Sequence, residues 1–283
     1  MQTQPNSDIR GALETQLKHI DDILPVGFDL PGNWLRMSRL IDLCASQPAQ
    51  SAPEIIAFCK DFNFSPEVLH VSRLLAVQLL MDDQTQLKQA GAEVVDFLQP
   101  YYPHARLDLA QAKVNGDGMP KDFEGAREIA EQLLLEAPTA ATAAARFLLG
   151  DLHVGRFIEC ADQHHGMRLY ERAAQEGYVE AHFTLGCYYH GRLPTKRLRD
   201  VDLCTAAIYY RNAAEKGHLQ ASTNLGILEA TFSFPDAIPR QGILRLKNSV
   251  ARGDEKAAEA LKQLESVTKR ASVASGEGNC ITT

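Results

Sequence analysis

One pattern returns along the C-terminal two thirds of this 283-residue chain, and it restricts the fold more than any other feature. Ala145-Arg-Phe-Leu-Leu-Gly150, Ala181-His-Phe-Thr-Leu-Gly186 and Ala221-Ser-Thr-Asn-Leu-Gly226 share a first segment. Tyr170-Glu-Arg-Ala-Ala-Gln-Glu-Gly177 and Tyr210-Arg-Asn-Ala-Ala-Glu-Lys-Gly217 share a second, with Leu246-Lys-Asn-Ser-Val-Ala-Arg-Gly253 a weaker copy. An earlier copy runs from Ala105 to Ala137, with Ala126 at the place of Gly166, Ala206 and Gly242. The first-segment alanine and this small residue stand 21 positions apart at 105/126, 145/166 and 221/242, and 25 apart at 181/206. The spacings define a 36-residue unit with two four-residue insertions, one around Pro138 and one within Arg192–Asp200.

The unit reads as a helix–turn–helix. Ala145, Leu149 and Leu152 recur at i, i+4 and i+7, one face of a first helix. Gly150 and the Ala173-Ala174 and Ala213-Ala214 pairs permit close helix approach. Gly177, Gly217 and Gly253 fall just past the second helices, where a left-handed residue closes a helix end. A single hairpin cannot bury both faces, so the hairpins stack, and the expected fold is an all-α, α/α superhelical solenoid of helix-turn-helix repeats.

These residues resemble the Sel-one-like repeats, relatives of the tetratricopeptide repeats. The resemblance rests on Ala-x3-Leu-Gly, Asn115-Gly-Asp-Gly-Met-Pro-Lys-Asp122 and the Ala-Ala-x2-Gly ending, and covers about 104–264. It implies a superhelix of helix pairs, non-catalytic, serving as a scaffold for other proteins, in a bacterial setting. Only the first unit keeps the full Gly-Asp-Gly loop, and the last has Thr231-Phe-Ser-Phe-Pro235 instead.

The expected organisation is an N-terminal helix and linker over 1–32, a helical region over 33–103, four repeats over 104–266 and a flexible tail over 267–283. Ile9, Leu13, Leu17 and Ile20 mark the first helix. Asn33 caps a second, carrying Leu35, Leu40, Ile41 and Cys44. Ser51 starts a third, running to about Phe62. Ser65-Pro66-Glu67 starts a fourth, pairing a cap with proline at the first helical position. The 33–103 helices lack the motif and read as degenerate repeats or a cap.

Function is less legible. A formal charge of −7 and a pI near 5.7 argue against an extended nucleic-acid footprint. No apolar run is long enough to span a bilayer, and no secretory signal pattern opens the chain. The six cysteines are sparse and read as the reduced thiols of a cytoplasmic protein. No phosphate loop, nucleophile elbow or metalloprotease motif is present. Two sets of ligand-type residues, His153/Cys160/His164/His165 and His182/Cys187/His190, raise the alternative of a metal- or thiol-dependent enzyme, but the favoured expectation is no metal and no cofactor. Asn115-Gly-Asp-Gly lacks the carboxylates of a calcium loop. The basic run Arg192, Lys196, Arg197 and Arg199 reads as a solvated loop, with an acidic partner or a phosphate as the other reading. The terminal Cys280-Ile-Thr-Thr283 reads as tail rather than a prenylation box.

The expected interaction surface is the row two residues beyond each core position. Phe147 and Asp151 begin it, Phe183, Cys187 and His190 continue it, and Thr223 and Ile227 complete it. A protein or peptide partner would lie along that row on the concave side, with Phe147 and Phe183 as apolar anchors. Internal packing of the same side chains is the competing reading, and an inhibitor or immunity protein with one enzyme partner shares the scaffold.

Overall fold

A computed structural model describes residues 39, 40, 43, 46–136, 140–193 and 200–276. The expected helix on Ile9 to Ile20, the Asn33 cap, the Pro138 insertion, Lys196, Arg197, Arg199 and the Cys280 terminus lie outside them. Among the described residues there are twelve helices and no strand. The chain is an all-α helical-repeat solenoid, and its contacts divide it into two compact units, Met1–Ala161 and Asp162–Thr283. The boundary falls inside the repeat block that the sequence presents as continuous.

The first unit holds α1 (Pro48–Asp61), α2 (Pro66–Leu80), α3 (Thr85–Leu98), α4 (Pro103–Asn115), α5 (Phe123–Leu134) and α6 (Ala140–Val154). α1 begins at Pro48, ahead of the expected Ser51, because proline already has a helical φ and its missing N–H is an orphan in the first turn. Ser65 caps α2 as its sequence implies, accepting from the Val68 N–H. Phe58, Leu75, Leu79, Leu87, Val94, Val95 and Leu98 build a continuous core between α1, α2 and α3. Asp108 is buried and accepts two hydrogen bonds from the Arg73 guanidinium, so neither charge is left uncompensated. In the Asn115-Gly-Asp-Gly loop, Gly116 and Gly118 both have positive φ, and Asp117 accepts from Lys88 Nζ at 2.8 Å.

The second unit holds α7 (Gln163–Gln175), α8 (Val179–Tyr189), α9 (Leu203–Glu215), α10 (Leu219–Ala230), α11 (Pro239–Ala251) and α12 (Glu255–Gly276). Consecutive helices pack on one another along this unit. Asp162 and Asp202 cap α7 and α9 with side-chain acceptors, and Gly177, Gly217 and Gly253 are left-handed at the ends of second helices. The repeat anchors are where the packing requires them: Ala181, Ala206, Ala221, Ala257, Leu185, Leu225 and Tyr210 are fully buried. Gly242 of α11 lies so close to α10 that an added Cβ would stand 2.4 Å from the Ala230 nitrogen. α12 continues through Gly276, well into the expected flexible tail. No proline interrupts the stretch before Gly276, so the helix propagates through it.

Candidate interaction site

The candidate row is carried by first helices, and each unit presents its own part. In the first unit Phe147 and Asp151 on α6 are half-buried. On the same unit His153 and Cys160 line a pocket with Glu124, Glu128, Glu131, Glu159 and Arg127.

In the second unit the row is partly consumed by packing. Phe183 is half-buried, stacked on the His218 ring at 4.3 Å and tilted against Tyr210 at 6.1 Å. Thr223 is fully buried and donates its hydroxyl to Asp254 Oδ2 at 2.6 Å, so it lies beneath the surface row. Cys187, His190 and Ile227 remain half-buried. Burial in a solenoid helix exceeds one stripe, which explains why residues of one register have such different exposure.

The structure also assembles a constellation that crosses repeat boundaries. Tyr210, fully buried on α9, donates its hydroxyl to Cys187 Sγ at 3.5 Å and lies 3.2 Å from His190 Nδ1. Asn224 Oδ1, buried on α10, accepts from Arg192 at 3.1 Å and from Lys256 Nζ at 3.0 Å. Three successive first helices and the ends of their loops therefore converge on one place.

The electrostatics follow from that burial. Desolvation pushes His190 down to about 4, with Arg192 and Lys256 adding to the effect, so the ring is neutral at physiological pH. Burial also raises the Cys187 thiol and, with Cys187 beside it, the Tyr210 hydroxyl. A thiol held protonated is a poor nucleophile, and at Cys187 burial outweighs the opposing pull of the Tyr210 hydrogen bond and of the Arg192 and Lys256 charges. Of the second ligand-type set, His182 is buried near Tyr209, with rings 6.0 Å apart. Among the described residues no group of three or more His, Cys, Asp or Glu side chains is arranged to hold a metal ion.

Tyr210, Asn224 and Lys256 were missed by the row argument. Tyr210 and Asn224 sit inside the quoted repeat motifs, but Asn224 falls between the core stripe and the surface stripe, and Lys256 immediately precedes the anchor Ala257. Only the stacking of α8, α10 and α12 brings them together.

No family model matches the sequence, and no curated protein does. Among solved structures the chain is similar to a Sel1 repeat protein from Oxalobacter formigenes, at 18% identity and a TM-score of 0.53 over 82% of this chain and 89% of that one. It is also similar to a protective antigen of uropathogenic Escherichia coli strains that displays an SLR fold, at 13% identity and a TM-score of 0.49 over 78% of this chain and 54% of that one. The repeat register, the buried alanine anchors and the first of these likenesses agree on one conclusion: this chain has the all-α helical-repeat fold of the Sel1-like proteins.

Proposed function

We propose that the chain is a non-catalytic interaction scaffold that holds a peptide segment of a protein partner along the first-helix row of its second unit. The observation that carries this reading is that Cys187 on α8, His190 at its C-terminal cap and Ile227 on α10 stay half-buried, while Leu185, Gly186, Leu225 and Gly226 beside them are enclosed by packing. Half-open apolar and uncharged side chains in a row are what a docked segment covers at low desolvation cost. Phe147 and Asp151 on α6 hold the same register within the first unit.

Ile227, rather than Phe183, is the anchor to test, because Phe183 also supports His218 and Tyr210. A partner is first recovered by affinity capture and its binding segment mapped by cross-linking from position 227. Ile227→Asp then weakens the purified partner at least tenfold with an unchanged thermal midpoint, in keeping with about 2 kcal/mol for a buried anchor. Unchanged affinity would remove the row from the interface.

A further inference from the structure

Arg192 and Lys256 share one neutral acceptor, the Asn224 oxygen, although like charges repel at such range. Both side chains are exposed, and among the described residues neither takes part in an ion pair. The sequence between Arg192 and Asp200 contains no acidic residue. Asp254, two residues before Lys256, is committed elsewhere. Its Oδ1 accepts from the Lys256 and Ala257 backbone N–H groups, and its Oδ2 from the Thr223 hydroxyl. The other groups at the place are uncharged: the neutral His190 ring, the protonated Cys187 thiol and the Tyr210 hydroxyl. Two cations are thus held together by a buried amide, and among the described residues neither is in a direct ion pair.

We propose that Arg192 and Lys256, oriented by Asn224, form a receptor for one carboxylate, supplied by an Asp or Glu side chain of the partner segment. The assignment rests on the reading of the row as the partner-binding face, and it gives that partner a chemistry. The counter-charge argues for a monoanion. Asp254 offsets one of the two cations, so a carboxylate balances the remainder, whereas a phosphate dianion would exceed it. The placement argues for a side chain rather than a chain end. Arg192 reaches in from the end of α8 and Lys256 from the start of α12, over Asn224 on the α10 between them. A segment passing across these three helices presents a side chain at the middle one without having to end there.

The test uses the full chain, isotope-labelled, at low ionic strength, with small probes read by NMR at the Asn224 side-chain amide. The probes are acetyl-Ala-Asp-Ala-amide, its neutral counterpart acetyl-Ala-Asn-Ala-amide, acetyl-Ala-Ala-Ala with a free terminal carboxylate, and inorganic phosphate. The expected result is a saturable shift with the Asp peptide and at least tenfold weaker binding of the Asn peptide. In the Arg192→Gln/Lys256→Gln variant, the Asp peptide also binds at least tenfold more weakly. Both replaced side chains are exposed, and an unchanged circular dichroism melt verifies the fold. Equal binding of the Asp and Asn peptides, or an undiminished response in the double variant, overturns the receptor. A response confined to the free-terminus peptide or to phosphate overturns the side-chain assignment. The scaffold reading is tested through Ile227 and a whole partner, and this one through two cations and a tripeptide, so either fails without the other.

Discussion

Replacing Gly186 with alanine puts a methyl group into the ring of Tyr210. The added Cβ would lie 2.5 Å from Cδ1, 2.7 Å from Cε1 and 3.1 Å from Cγ, where ordinary carbon contacts are about 3.5–4.0 Å. Relief by movement of the ring is blocked. Tyr210 is fully buried, and its hydroxyl is held between Cys187 and His190. Overpacking of this kind costs about 1–3 kcal/mol. Against it stands the gain of an alanine over a glycine within α8, about 1 kcal/mol. The clash wins by up to about 2 kcal/mol, and a unit of this size loses up to roughly 8 °C of melting midpoint for that amount. Urea unfolding followed by circular dichroism, beside calorimetry to separate the two units, measures it. The cause is isolated by a double-mutant cycle with Tyr210→Ala. Once the ring is gone, Gly186→Ala should be neutral or stabilising. If Gly186→Ala instead stabilises the otherwise native chain, the close approach of α8 to α9 is wrong and the glycine is only a tolerated helix residue.

Gly118→Ala should be more damaging in the first unit, by more than about 2 kcal/mol, because φ is +71° and the new Cβ would stand 2.0 Å from the Lys88 carbonyl oxygen. Gly217→Ala, at φ +91° with open space around it, should lose only about 1 kcal/mol, and equal thermal losses at the two sites would refute the close approach at Gly118. His190 should make the second unit acid-sensitive. Its folded pKa, about 4, lies below the ordinary value near 6.5, so the unfolded chain binds the proton first. The contribution is complete above about pH 6.5 and is lost as pH falls toward 4, by roughly 1–2 kcal/mol after allowance for the partial exposure of the ring. His190→Gln should flatten part of the dependence of the urea midpoint between pH 7 and 4.5, and His182, which burial also lowers, acts in the same direction. An NMR titration of the His190 ring near 6.5 would contradict the desolvation argument.

The sequence by itself determined the repeat. Alanine, leucine and glycine at fixed spacing are sufficient to specify helix, turn and helix, because helical periodicity and left-handed helix ends are local properties. Gly177, Gly217 and Gly253 are left-handed as their positions required, and the alanine anchors are buried. The sequence also singled out Cys187, His190 and Ile227 as one register. It did not distinguish them from Thr223, whose burial depends on Asp254 at the head of the next hairpin, nor from Phe183, whose face meets His218 and Tyr210. The division at Ala161 and the convergence of Arg192, Asn224 and Lys256 were left to the tertiary structure. Periodicity fixes which way a side chain leaves its own helix, but what it meets is set by residues one or two repeats away, and no local spacing encodes that encounter.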